Sequence, residues 1–152
     1  MAKYILALDQ GTTSSRSILF DKNGTPVRGM NKECEQIYPN PGGVEHRALD
    51  IWNTQLETAR TIIRDSHISP SDIAAIGVTN QRETTTIWDK VTGEPIMNAI
   101  CWQCRRTAFI CDDMNARGWG PKIREKTGVV CDAYFSGTKI KWMLPTLKPT
   151  PN

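Results

Sequence analysis

No stretch of 18 apolar residues occurs in the 152-residue sequence, which leaves no candidate for a membrane-spanning helix. The first residues, Met1-Ala-Lys-Tyr4, run straight into an apolar segment without the charged-then-apolar layout of a signal peptide, so a cytoplasmic location is expected. There is no P-loop of the form G-x-x-x-x-G-K-[ST] and no dinucleotide fingerprint G-x-G-x-x-G. Internal repeats are absent. The net charge is only +3, and its basic residues are spread along the chain, so neither a nucleic-acid partner nor a membrane partner is expected.

The five cysteines, Cys34, Cys101, Cys104, Cys111 and Cys131, are odd in number and irregular in spacing, which speaks for reduced thiols. Cys101-Trp-Gln-Cys104 has the spacing of a redox pair or of half a zinc site. A zinc site needs two further ligands at compatible spacing. Cys111 and Cys131 stand singly, and the only histidines, His46 and His67, lie far upstream. The better reading makes these thiols small buried hydrophobes and puts His46 in a loop.

What is present is the composition of a soluble globular domain, 39% hydrophobic and 23% charged, in a chain long enough for one real core. Residues 4–9 read as a buried strand. Residues 17–21 read as a second, and Asn23-Gly24 is a strong hairpin signal leading to a third over 27–37. Leu49, Trp52, Leu56, Ala59 and Ile63 recur at spacings of three and four, which predicts an amphipathic helix over about 48–66. "IAAIGVT" reads as another buried strand, and "TTTIWD" as strand again. Helices are expected near 104–117, 119–127 and 136–144. The order βββαβ predicts an α/β fold with a mixed sheet flanked by helices. It also matches the five-stranded ribonuclease-H-like arrangement, which the pattern alone does not single out. The last residues, 145–152, form a proline-rich tail in which no regular helix is expected.

The most informative stretch is "ILALDQGTTSSRSILF", residues 5–20. A carboxylate, Asp9, closes an apolar strand, where its burial costs free energy unless something such as Mg²⁺ offsets it. Gly11 permits a tight turn whose N–H groups make an anion-binding nest. Thr12, Thr13, Ser14 and Ser15 add hydroxyl donors, and Arg16 adds a guanidinium. Together these suit phosphate handling. The plainer alternative is a polar hairpin turn with an Asp cap.

A second cluster is "NQRETT", residues 80–85. Arg82 and Glu83 are adjacent charges placed directly after an apolar strand. A carboxylate accepts from hydroxyls and a guanidinium donates to them, so the pair suits a vicinal diol. A salt bridge capping the sheet is the competing reading.

"DQGTTSSR" resembles the first phosphate motif of the FGGY sugar and polyol kinases, within the actin and hexokinase superfamily of ribonuclease-H-like folds. "EQIYPNPGGVEH" (35–46), "GVTNQRETT" (77–85), "NAICWQCRRT" (98–107) and "DAYFSGTKIKWML" (132–144) are similar to the glycerol-phosphorylating branch of that family. The matches run from residue 4 to residue 144. The resemblance implies a kinase lobe over residues 1–144, using ATP and Mg²⁺ to phosphorylate glycerol, in a protein that is a homo-oligomer when complete. It implies nucleotide-phosphate contacts at Thr12, Thr13, Ser14 and Arg16, and a Mg²⁺-linked carboxylate at Asp9. Glycerol hydroxyls would meet Arg82, Glu83 and Tyr134, with Trp102 against the glycerol carbons. Packing in the core is the alternative for Trp102.

No catalytic base is legible in this chain. The resemblance puts the base in a later D-Q-Q-like segment and the adenosine site in a second, C-terminal lobe, so the sequence is expected to be an N-terminal portion. Arg47 departs from the acidic residue usual there, which predicts a weaker helix start. Three readings compete: a kinase of glycerol or of another polyol; a small ribonuclease-H-like nuclease, which needs further carboxylates at strand ends; and a module that binds polyol or phosphate without turnover.

Overall fold

The structure, a computed structural model, describes residues 3–146. They form two compact units, residues 3–35 with 47–81 and residues 36–46 with 82–146. The proline-rich tail from residue 147 onward lies outside the described residues, and Leu144–Thr146 is a single 3₁₀ turn.

In the first unit, strands β1 (Tyr4–Gln10), β2 (Ser14–Asp21) and β3 (Pro26–Glu33) form an antiparallel meander, as the sequence predicts. The β2–β3 turn is closed by Asp21, whose carboxylate accepts from the backbone N–H of Asn23 and of Thr25, while Gly24 takes φ +80°. Helix α1 (Ala48–Asp65) follows, and a later strand of this unit, β5 (Ile73–Thr79), adds parallel to β1. The four-stranded sheet has the order β3-β2-β1-β5 and is mixed.

Helix α1 and strand β5 depart from the sequence reading. The helix does not bury the stripe of Leu49 and Trp52, which are 47% and 63% exposed; its most buried residues are Thr58 and Ile62. The reason lies in β2, which presents Ser15 and Ser17 to the helix. Ser15 shares a 2.7 Å hydrogen bond with Thr54, and Ser17 shares a 2.9 Å bond with Thr58. Apolar contacts resume further along the helix, where Leu6, Leu19 and Ile62 make the core. Strand β5 is not buried either: Ile76 and Val78 are 60% and 73% exposed. It is one of the sheet's two edge strands, and α1 lies over β1, β2 and β3 instead.

The N-cap of α1, Arg47, makes no capping bond and instead pairs with Glu35 and Asp50.

The second unit holds the short ladder of β4 (Glu45–His46) with β6 (Ala99–Ile100) and the helices α2 (Ala108–Ala116), α3 (Trp119–Thr127) and α4 (Ser136–Met143). "TTTIWD" makes only the isolated bridges Thr85–Ile100 and Trp88–Pro95, not a strand. His46 is buried in β4 rather than in a loop. Cys101 and Cys104 are fully enclosed in a core with Val44, Ile100 and Met143, the apolar role read for them. All five thiols are free.

Candidate functional site

The phosphate-type turn is shorter than its hydroxyl-rich sequence suggests. Only residues 11–13 lie between β1 and β2, and Ser14, Ser15 and Arg16 already belong to β2. The Gly11 N–H donates to the Ser14 carbonyl at 2.9 Å, and a Cβ at Gly11 would stand 3.0 Å from that oxygen, so glycine is what lets the turn close. The Thr13 carbonyl accepts from the Cys34 N–H at 2.8 Å, which fixes the tip against the chain beyond β3.

Strand alternation then sorts the side chains. Asp9 stands directly opposite Arg16 in the β1–β2 ladder, so both lie on the same face of the sheet, and both are exposed. Thr13 is exposed, while Thr12 and Ser14 are half-buried. Ser15 points the other way. It is fully buried and bonded to Gln10 and Thr54, so its hydroxyl is not one of the outward donors. Asp9 is thus not a desolvated carboxylate, and no burial penalty needs a cation to offset it.

Among the described residues no three His, Cys, Asp or Glu side chains converge as a metal cage. One exposed carboxylate at a strand end fits Mg²⁺, which keeps most of its waters and shares one or two carboxylates with substrate phosphates.

The second cluster lies in the second unit. Glu83 is half-buried and takes φ +60°, a left-handed backbone that a residue with a Cβ rarely adopts. Its Oε2 is buried and has no hydrogen-bond partner among the described residues. A hydrogen bond to the Glu83 carboxylate raises the pKa of the Tyr134 phenol above its ordinary value. The Trp102 ring meets that of Tyr134 edge-on at 5.6 Å and 62°, and its backbone N–H donates to Thr84 Oγ1. Arg82 is exposed beside them, and no ion pair joins it to Glu83 among the described residues. Glu83, Trp102 and Tyr134 are thus brought together from three separate stretches of sequence. The arrangement offers an acceptor oxygen, a phenol and an aromatic edge.

Residues not singled out from sequence hold this cluster. The Asp132 carboxylate accepts from the Tyr134 N–H and from Arg105, each at 2.7 Å, and the Arg105 bond holds its carboxyl below the ordinary value. Lys139 is fully buried beneath Glu83 and Tyr134. Both lie within the "DAYFSGTK" stretch, whose charged residues were the available signal. Separately, a groove of about 590 Å³ in this unit is apolar, lined by residues such as Trp119, Ile123 and Phe135, and includes none of Arg82, Glu83, Trp102 or Tyr134.

Residues 4–149 match the N-terminal domain of the FGGY family of carbohydrate kinases. The chain is 62% identical over 148 residues to a glycerol kinase of Caldanaerobacter subterraneus subsp. tengcongensis, covering 97% of this chain and 30% of that protein. It is 60% identical over 146 residues to glycerol kinase 2 of Thermotoga maritima, covering 96% of this chain and 29% of the relative. Among solved structures, Plasmodium falciparum glycerol kinase with ADP superimposes with a TM-score of 0.85 at 32% identity, over 93% of this chain and 28% of that one. The chain therefore spans about 30% of the length of the curated relatives it matches. The mixed sheet, the flanking helix and the motifs at residues 9–16 and 80–85 are accounted for together: this chain belongs to the FGGY family of carbohydrate kinases, and residues 4–149 correspond to the family's N-terminal domain.

Proposed function

We propose that the intact protein transfers the γ-phosphoryl group of ATP to glycerol, forming sn-glycerol 3-phosphate. The observation that carries this reading is the buried Oε2 of Glu83, which has no hydrogen-bond partner among the described residues and lies beside the Tyr134 phenol and the Trp102 ring. A buried acceptor left without a donor is costly, and a ligand hydroxyl satisfies it. Arg82 adds a donor at the same place, and the aromatic edge suits the C–H faces of a small polyol.

On the nucleotide side, the outward groups of the β1–β2 corner are assigned to phosphate oxygens: Thr12, Thr13, Ser14 and Arg16. Gly11, where an added Cβ would stand 3.0 Å from the Ser14 carbonyl, keeps that corner tight. Asp9 is assigned to hold Mg²⁺, which when bound neutralises phosphate charge. In this reading Arg82, Glu83 and Tyr134 orient the acceptor hydroxyls, and Trp102 lies against the glycerol carbons. The 1–144 region acts as one lobe, and the base and adenosine contacts lie in parts of the relatives that this chain does not match. No described helix is long and apolar enough to cross a membrane. The intact protein is assigned to glycerol catabolism in the cytoplasm and to a homo-oligomeric state.

Labelled ATP with glycerol, and in parallel with ribitol and xylitol, tests the reading in the intact protein. Glycerol is expected to be the preferred acceptor. Transfer to ribitol or xylitol with none to glycerol would replace it, and sedimentation of the same sample tests the oligomer.

A further inference from the structure

We infer that Lys139 is a positioning residue for the polyol site: its buried ammonium pins the backbone carbonyls of Glu83 and Tyr134 and so sets where the Glu83 carboxylate and the Tyr134 phenol stand. The inference rests on the reading of these residues as the acceptor site.

Lys139 has no exposed surface. Its Nζ donates to the Glu83 carbonyl at 3.1 Å and, more closely still, to the Tyr134 carbonyl. Removing an ammonium from water is expensive, and an apolar side chain of similar length would fill the space without that cost. What the charge adds is a single donor that joins two carbonyls far apart in the sequence. Burial lowers the pKa of the ammonium, while the thiols of Cys101 and Cys104 and the carboxylates of Glu83 and Asp132 act in the opposite direction.

The Glu83 carbonyl shows how much holding this point receives. Besides Lys139 it accepts from Ser136 Oγ and from Thr85 Oγ1, each at 3.3 Å. Three donors converge on one carbonyl of a residue whose backbone is left-handed without being glycine. A strained residue keeps such a conformation only where its surroundings over-determine it. Ser136 and Lys139 both belong to α4, so one helix end grips Glu83 and, through Lys139, Tyr134. The carboxylate whose Oε2 has no partner among the described residues is therefore set by two donors from a neighbouring helix together with Thr85 of its own loop.

The test uses Lys139→Met, Lys139→Arg and Ser136→Ala in the intact protein, with two readouts. For glycerol, Lys139→Met is expected to raise KM by about tenfold or more, as misplaced site groups do, with the KM for ATP changed less than about twofold. Lys139→Arg should recover part of the loss. Ser136→Ala, which removes a weaker donor from the same carbonyl and disturbs folding little, should raise the glycerol KM by a few-fold at unchanged Tm. The second readout needs no substrate. The Tyr134 phenol, identified by difference against Tyr134→Phe in an ultraviolet titration, should fall toward its ordinary pKa in Lys139→Met as the Glu83 contact loosens.

If Lys139→Met does not fold, Ser136→Ala decides by the same two readouts. Unchanged glycerol KM and unchanged Tyr134 titration, or glycerol and ATP constants rising together, would overturn the inference. A protein that ignores glycerol, yet whose Tyr134 titration responds to Lys139, would overturn the proposed substrate and leave the positioning role standing.

Discussion

The Arg106 guanidinium reaches Glu45 Oε1 at 2.5 Å with both side chains only 11% exposed. It also donates to Cys104 Sγ at 3.0 Å and lies 5.0 Å from the centre of the Trp142 ring, while the second oxygen of Glu45 accepts from Asn98 at 2.8 Å. One buried ion pair thus ties β4 to the segment before α2 and to α4. Removing one partner of such a pair leaves the other charge without compensation. Glu45→Ala is expected to cost about 3–5 kcal/mol, and Glu45→Gln less, because the amide still accepts from Arg106. Denaturant unfolding of the intact protein checks this. A loss below about 1 kcal/mol would class the pair with surface bridges.

The β1–β2 corner should govern turnover rather than folding. Thr12→Val and Arg16→Ala are each expected to lower kcat by roughly 10²–10³, as loss of an electrostatic donor does, with Tm nearly unchanged because Arg16 is exposed and Thr12 is half-buried. Steady-state kinetics at saturating glycerol reads this directly, and an unaltered kcat in both variants would remove these residues from the phosphate site. Ser15→Ala makes the contrast. Its hydroxyl is buried against Gln10 and Thr54, so its expected effect is on stability, about 1–3 kcal/mol.

For the polyol, Glu83→Gln and Arg82→Ala are expected to raise the glycerol KM by at least about tenfold while leaving the ATP KM within about twofold. The first replaces an acceptor-only carboxylate by an amide, and the second removes the exposed donor beside it. Calorimetric titration with glycerol provides an independent check. Normal glycerol binding in both variants would reduce the cluster to a structural feature.

Asp132 makes stability depend on pH. The hydrogen bond from Arg105 is the largest cause holding its carboxyl below the ordinary 3.8. The unfolded chain therefore takes up this proton more readily than the folded one. The contribution is in full above the ordinary value and fades as pH falls through the lowered one. Asp132→Asn should lose less stability than the unsubstituted protein between about pH 5 and pH 3. Parallel slopes in urea titrations over that range would count against the Arg105–Asp132 pair. The effect is modest, because the two side chains are 53% and 34% exposed.

The 152-residue chain by itself is expected to give no glycerol-dependent phosphate transfer above a Glu83→Ala control. It spans about 30% of its glycerol kinase relatives and shows no residue assigned as base. Positioning of both reactants supplies up to about 7–11 kcal/mol of the barrier lowering in such reactions. Labelled ATP with the purified chain tests this, and robust transfer would mean the rest of the relatives' length is dispensable for the chemistry.

Local pattern determined a good deal of this protein. The meander, the Asn23-Gly24 turn, the span of α1 and the positions of α2, α3 and α4 follow from alternation, helical spacing and turn residues, which act over a few residues. The motifs at residues 9–16, 80–85 and 132–139 carried the family in their residue types. Other properties depended on what each element meets. The face α1 buries was settled by Ser15 and Ser17 on β2, because a helix packs with whatever chemistry its sheet presents. Strand β5 reads as buried from its apolar run, yet it lies at an edge beyond the cover of α1. Whether Ser15 faces a ligand or the core depended on strand alternation starting at Ser14, three residues before the span read from the sequence. Lys139 is the clearest case. In sequence it is one lysine in a helix, and only the tertiary structure puts its ammonium under two distant carbonyls, because burial and hydrogen-bond partners are properties of three-dimensional neighbours.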